Sequence, residues 1–347
     1  MSAPEPTVSV IIPMRNEEKY IGRCLDSILR NNFPRNRYEI LIADGESRDR
    51  SREVVLQRAG RFSNIRLLDN PKRIVPTGLN EAIRQARGRY IIRMDAHSEY
   101  PPDYIENCVA ELERTGAANV GGRWITLPGA NGTTAKTIAL ITQTRAGVGN
   151  ATYRLGGGDR YVDTVPFGAF RREVFGDVGL YREDLVRHQD YELNARIRGR
   201  GYKIFLSSKI YVKYYNVPTF ARFVRQAFIN GSWSTRCWRR YPITFCWRHA
   251  APLAFVSGLI GLSGLGLLFR PAVWLLALGL SLYMLLALTG SAQIARRGEW
   301  QCAFLAPALM FSYHFVYGFA SIVGLLHPLN TTSSTHRTEV GDKAVLS

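Results

Sequence analysis

An α/β fold with a mostly parallel sheet, followed by C-terminal transmembrane helices, is the architecture this sequence predicts, and three observations predict it. Short apolar runs alternate with helix-patterned segments from Val8 to about residue 215. Three of those runs end in polar clusters: Pro13 to Glu17, Asp44 to Ser47 and Asp95 to His97. Beyond His249, the segments 249–269, 271–295 and 302–326 contain no Asp, Glu, Lys or Arg. Each exceeds the ~20 residues needed to cross a bilayer core.

The elements follow in order. Val8-Ser-Val-Ile-Ile12 reads as a buried strand closed by Pro13. Asn16-Glu-Glu18 then opens a helix whose apolar positions Tyr20, Ile21, Cys24, Leu25 and Ile28 recur at spacings of three and four. A strand over Tyr38 to Ala43 leads into Asp44-Gly-Glu-Ser-Arg-Asp49 and a helix containing Val54, Val55 and Arg58. Ile65 to Leu68 is a third strand, and Thr77 to Ala86 a helix containing Asn80. Tyr90 to Met94, set off by Gly88, is a fourth strand, with Asp95 and His97 just past its end. Strand and helix alternating at this spacing predict a parallel sheet covered on both faces.

If the strands are parallel, the three polar clusters share one edge of the sheet, where α/β proteins bind ligands. Asp95 and His97 are then potential metal ligands; the plainer alternative is a turn-initiating acid and a solvated loop histidine. Neither GxGxxG after the first strand nor GxxxxGK[ST] occurs, so no dinucleotide or P-loop site is indicated. A bound nucleotide has to be held by acids and a metal. Of the formal charge of +17, many arginines crowd between Arg222 and Arg248, directly before the apolar segments. That clustering favours anionic membrane lipids over nucleic acid as the partner of the basic surface. The five cysteines show no paired spacing and require neither a disulfide framework nor a metal finger.

Val10-Ile-Ile-Pro-Met-Arg-Asn-Glu17, Ile40-Leu-Ile-Ala-Asp-Gly-Glu-Ser47 and Met94-Asp-Ala-His97 resemble the successive nucleotide-sugar motifs of family 2 glycosyltransferases. Val162 to Glu173 and Arg187-His-Gln-Asp-Tyr-Glu-Leu-Asn-Ala-Arg196 are similar to the segments carrying that family's acceptor pocket and catalytic base. The likeness covers about residues 8 to 245 and is nearest to the succinoglycan-type exopolysaccharide branch. It implies the GT-A fold, a Rossmann-like nucleotide-diphospho-sugar transferase sheet. It also implies that Pro13, Asn16 and Glu17 approach the nucleoside, that Asp44 bonds the base, and that Asp95 and His97 meet the diphosphate metal. Asp190 matches the base that deprotonates the acceptor hydroxyl. Gly45 stands where a second acid is frequent, His97 where an acid is more usual, and Gln189 where Glu commonly precedes the base.

The chemistry matches those residue types. Transfer from a nucleotide diphosphate sugar develops charge on the leaving diphosphate, which a divalent metal neutralises as a Lewis acid. An imidazole ligand predicts Mn²⁺ working at least as well as Mg²⁺. Asp190 precedes a helical pattern; it is either a carboxylate base favoured by the helix dipole or an N-cap. One base without a second carboxylate nucleophile predicts inversion by single displacement. Arg187, Arg196 and Arg198 read either as phosphate contacts or as a solvated basic face, and Gly156-Gly-Gly158 as a mobile loop or a plain connection.

Phe220, Phe223, Val224, Ala227 and Phe228 form an apolar stripe flanked by Arg and Trp, the pattern of a helix lying in the membrane interface. Arg236 and Trp238 belong to it and are expected at the acceptor diphosphate with Gln189. The expected organisation is a cytosolic domain over 1–218, an interface region over 219–248, three spans over 249–326 and a polar tail over 327–347. With no apolar leader and with Arg296 and Arg297 between the second and third spans, the first domain is expected inside a multi-pass inner-membrane protein. The expected activity is membrane-bound inverting hexosyl transfer from a nucleotide-diphosphate donor, UDP-linked by preference, to a polyprenyl-linked saccharide. A processive polysaccharide synthase is the enzymatic alternative, disfavoured because three crossings give little wall for a channel. An inactive membrane-anchored nucleotide-sugar-binding protein is the rival of another class.

Overall fold

The computed structural model describes residues 5–327; the polar tail beyond His327 lies outside the described residues. In chain order the elements are β1 (Val8–Met14), α1 (Ile21–Leu29), β2 (Tyr38–Asp44), α2 (Ser51–Ala59), β3 (Ile65–Asp69), α3 (Val75–Gln85), β4 (Tyr90–Arg93) and α4 (Tyr104–Thr115). There follow β5 (Asn119–Leu127), α5 (Thr133–Ile141), α6 (Arg145–Val148), α7 (Thr152–Leu155), β6 (Arg160–Tyr161), β7 (Ala169–Arg171), α8 (Val174–Val178) and α9 (Gln189–Gly199). The chain continues through β8 (Ile204–Tyr215), α10 (Phe220–Arg240), α11 (Trp247–Gly266), α12 (Arg270–Ala295) and α13 (Trp300–Leu326). These fall into two compact units: Met1–Ile125 with Gly156–Lys213, and Thr126–Leu155 with Tyr214–Ser347.

The first unit is built on the sheet, whose strand order is β3-β2-β1-β4-β7-β5-β8-β6. β1 pairs in parallel with β2, from Val8↔Tyr38 to Met14↔Asp44, and with β4, from Val8↔Tyr90 to Ile11↔Arg93. β2 pairs in parallel with β3, whereas β7 runs antiparallel to β4 and β5. Val8, Val10 and Ile12 on β1, Ile40 and Ile42 on β2, and Tyr90 and Ile92 on β4 are fully enclosed in one core. Each such aliphatic side chain contributes ~1.5–3 kcal/mol of burial, which fixes the register of the central strands. The chain leaves β1 for β2 and β3 on one side and returns to β4 on the other. The strand order therefore reverses between β1 and β4, and the crevice at their carboxyl ends is where such sheets bind ligands.

The first helix begins later than the sequence pattern suggests. Asn16, at a left-handed φ of 55°, stands outside it, a turn runs through Glu18 to Tyr20, and α1 starts at Ile21 with Tyr20 as its N-cap.

The second unit carries three helices long and apolar enough to cross a membrane: Trp247–Gly266, Arg270–Ala295 and Trp300–Leu326. Residues 126–155, assigned by sequence to the first domain, group instead with these helices. Ile138 and Ile141 of α5 share a core with Phe223 of α10 and with Ala306, Leu309 and Met310 of α13. The apolar stripe of α10 is divided by that packing: Phe223 and Ala227 are buried, while Phe220 and Phe228 stay exposed.

Small residues let α10 lie directly on α13. Ser234 Oγ is 2.6 Å from Tyr317 Oη, and Thr235 Oγ1 donates to the Ser321 carbonyl at 2.8 Å. A Cβ at Gly231 would stand 2.2 Å from the Tyr317 carbonyl oxygen, so that position admits no side chain unless the helices separate. Gly231→Ala is accordingly expected to destabilise the purified protein by about 1–3 kcal/mol, the usual effect of overpacking. A thermal unfolding midpoint in detergent equal to that of the parent would contradict this helix contact.

Candidate active site

All three predicted polar clusters meet at the carboxyl edge of β1, β2 and β4. The loop after β1 is zipped to the loop after β2: Asn16 N donates to Ser47 Oγ at 2.8 Å, Arg48 N to Asn16 Oδ1 at 2.8 Å, and Glu17 N to Ser51 Oγ at 2.7 Å. Pro13, paired with Ala43, holds the end of β1 in the sheet. The Asp44 side chain has no exposed surface and anchors the second loop. Its oxygens accept from Ser47 Oγ at 2.5 Å and from Arg52 Nη1 at 2.8 Å, and Arg52 reaches on to Asp69 at 2.9 Å. With no surface exposed, the base contact implied for Asp44 would require the surrounding loop to move. Gly45, in place of a second acid, has a local reason: a Cβ there would lie 3.3 Å from Arg73 Cα and 3.4 Å from the Arg15 side chain.

Past β4, Asp95 N donates to the buried Tyr100 hydroxyl at 2.7 Å, which fixes the turn. His97 Nδ1 lies 3.3 Å from Glu17 Oε1, so the first and third clusters are in contact across the switch point. Asp95 keeps 17% of its side chain exposed, and its Oδ1 is 3.2 Å from Nη2 of Arg93. Arg93 is the last residue of β4 and is buried; its other terminal nitrogen, Nη1, pairs with Asp190. One guanidinium thus joins two acids far apart in the sequence.

Asp190 lies in the first turn of α9, but the N-cap is His188, in a left-handed conformation (φ 61°) and without a side-chain cap bond. The carboxylate of Asp190 is therefore turned to Arg93 rather than used to cap the helix. Burial pushes the Asp190 carboxyl above its ordinary value, Arg93 opposes that shift and the negative Asp95 adds to it. The side chain is 36% exposed. Gln189, the first residue of α9, is buried. The approach to α9 is held by Asn80, whose amide donates to the Tyr181 carbonyl at 2.9 Å and accepts from Tyr181 N at 2.9 Å. Arg196 contacts Glu192 at 2.7 and 2.8 Å and the Leu180 carbonyl at 2.8 Å, which gives it a structural role. Arg236 and Trp238 belong to the second unit, where Arg236 lies over Trp233 and Trp238 packs on Phe245.

Backbone strain is concentrated in the same loops. The non-glycine residues at positive φ among the described residues are Asn16, Glu46, Arg73, Phe167 and His188. Asn16, Glu46 and His188 lie in or beside the segments just described. Arg73 packs against Gly45 and Phe167 lies under the Arg93 guanidinium. Such conformations cost on the order of 1–3 kcal/mol each and persist where surrounding structure holds them, commonly at functional sites. The sequence motifs give no role to Arg93 or Arg52 and mark Asn80 only as a position in a helix. A charged residue closing an otherwise apolar strand was the available signal for Arg93.

The donor set of Asp95 and His97, one carboxylate and one imidazole, fits a borderline divalent cation such as Mn²⁺. Among the described residues no group of three or more His, Cys, Asp or Glu side chains could hold a metal. Remaining ligands would have to come from a diphosphate and water.

Residues 9–179 match Glycosyl transferase family 2. The chain carries a family 2 glycosyl transferase domain. It is 26% identical to a Methanococcus voltae dolichyl N-acetyl-alpha-D-glucosaminyl phosphate 3-beta-D-2,3-diacetamido-2,3-dideoxy-beta-D-glucuronosyltransferase, over 92% of this chain and 97% of the relative. The succinoglycan biosynthesis protein ExoA of Rhizobium meliloti is 32% identical over 59% of this chain and 62% of its own. Among solved structures, the mannosyltransferase PcManGT from Pyrobaculum calidifontis, in complex with GDP-Man and Mn²⁺, superposes with a TM-score of 0.58. That match covers 93% of this chain and 88% of the other at 19% identity, so it bears on the fold. The expected GT-A-like α/β sheet followed by apolar helices is the observed fold, and the family 2 domain with those helices is that of a membrane-bound glycosyltransferase.

Proposed function

We propose that this family 2 domain transfers a sugar, with inversion, from a nucleotide-diphosphate donor to a lipid-linked saccharide at the cytosolic face of a membrane. The observation that carries this reading is the convergence of Asp95 and Asp190 on Arg93 at the switch point of the sheet. An acid suited to the donor side and an acid suited to proton abstraction then face one crevice. Asp190 takes the proton of the acceptor hydroxyl as its oxygen attacks the anomeric carbon. The bond to the diphosphate breaks in the same displacement, and its electron pair leaves with the diphosphate. Asp95 and His97 would hold a divalent cation, which when bound supplies Lewis-acid stabilisation of that leaving charge. Proton transfer by a positioned carboxylate contributes ~10²–10⁴-fold.

A lipid-linked acceptor is supported by the three apolar helices and by the name of the Methanococcus voltae relative, which specifies a dolichyl-phosphate-linked sugar. The relation to a succinoglycan biosynthesis protein supports a product in surface glycan synthesis. Membranes containing the protein, incubated with a panel of labelled nucleotide sugars and Mn²⁺, are expected to move label from one donor into the organic extract. Label confined to water-soluble products for every donor would refute the lipid acceptor.

A further inference from the structure

Arg93 is fixed both through its backbone and through its side chain. Its backbone is paired with Ile11 of β1, and its amide donates to the carbonyl of Gly168, the residue before β7, at 3.0 Å, so it is held from both sides. The side chain is 7% exposed and its guanidinium lies 6.0 Å from the Phe167 ring centroid. Nη2 meets Asp95 at 3.2 Å, Nη1 meets Asp190, and the buried Nε has no hydrogen-bond partner. An arginine fork presents its nitrogens in one plane at fixed separation, which a flexible ammonium does not reproduce.

We infer that Arg93 is a positioning residue: its guanidinium ties the donor-side acid Asp95 to the base Asp190 and so sets the gap that the reacting sugar must bridge. This rests on the proposed roles of those two acids and adds what spaces them. A direct role in gripping the diphosphate is disfavoured by geometry, because both terminal nitrogens already serve carboxylates and little of the side chain reaches solvent. Simple neutralisation of the two partly exposed acids is the competing account, and it predicts that the charge-retaining Arg93→Lys restores full transfer, whereas positioning by a planar fork predicts only partial recovery. If Arg93 works through Asp190, its loss and the loss of Asp190 remove the same step, so their effects on turnover do not multiply.

The test compares the full-length parent, Arg93→Met, Arg93→Lys, Asp190→Asn and the double variant Arg93→Met/Asp190→Asn. Nucleoside-diphosphate affinity with Mn²⁺, transfer to the lipid acceptor, and donor hydrolysis by water are measured for each. Arg93→Met is expected to lower kcat for transfer at least about 100-fold, the low end for loss of a working general base, while nucleotide affinity stays within about 3-fold. Arg93→Lys is expected to recover part of that loss, and the double variant to transfer no more slowly than Asp190→Asn alone. Multiplying losses in the double variant, or nucleotide affinity falling as far as kcat, would overturn the inference. If Arg93→Met does not fold, the double variant, which no longer faces an uncompensated acid at residue 190, and the charge-retaining Arg93→Lys carry the same comparison. Full transfer by Asp190→Asn would instead remove the base assignment, a failure of the proposed function that the single variant identifies by itself.

Discussion

Asp190→Asn is expected to lower transfer about 10²–10⁴-fold and to leave nucleotide binding nearly unchanged. An amide has the shape of the carboxylate and can still accept a hydrogen bond from Arg93 through its oxygen. It has no basicity with which to take the acceptor proton. Arg93 keeps its second acid, Asp95, so the variant does not leave a lone buried guanidinium. The loss should therefore appear in kcat, with the donor KM close to that of the parent, because an interaction made only in the transition state is removed. Donor hydrolysis by water would persist, since it does not use the acceptor hydroxyl. Turnover equal to the parent would show that Asp190 is only an ion-pair partner of Arg93 and that the base lies elsewhere.

The sequence makes the donor half of this site legible because strand order and residue chemistry act together there. Apart from Ser9, Glu39 and Arg93, the runs Val8 to Ile12, Tyr38 to Ala43 and Tyr90 to Met94 are apolar and buried on both faces, as central parallel strands must be, and their ends point one way once the strands are parallel. Asp95 and His97 follow directly from that placement. What local pattern does not carry is pairing across long sequence separations. Nothing near Arg93 announces Asp190, 97 residues on, and an arginine closing an apolar strand reads as a strand end rather than as a tie between acids. The same limit explains α10. Its phenylalanine stripe has the period of an interface helix, but Gly231, Ser232 and Thr235 meet α13 on a face whose small and hydroxyl residues give a weak apolar signal. Residues 126–155 begin within the last two residues of β5 without a break in composition, and only the packing of Ile138 and Ile141 shows that they join the apolar helices.

Chelation of divalent cations is expected to suppress transfer at least about 100-fold, with Mn²⁺ restoring it at least as well as Mg²⁺. The geometry around His97 gives this a sharper form. With its proton on Nδ1, the imidazole donates to Glu17 at 3.3 Å and presents Nε2 to a cation. A carboxylate behind a ligating histidine fixes the tautomer and raises ligand basicity, and loss of such a partner typically weakens metal affinity about 10–100-fold. Glu17→Gln is therefore expected to weaken Mn²⁺ binding to that extent, read from the free-Mn²⁺ signal in electron paramagnetic resonance, while saturating Mn²⁺ restores most of the turnover. Had Glu17 contacted the nucleoside alone, the variant would raise the donor KM at every Mn²⁺ concentration and leave metal affinity as it was. Asp95→Ala removes the only carboxylate of the pair, and no excess of cation should restore it. Retained activity in Asp95→Ala, or full activity in Mg²⁺ with none in Mn²⁺, would exclude this ligand pair. The departure at His97 from the more usual acid is thus expected to bring a dependence on Glu17, and the contact between the two lies across the point where the strand order reverses.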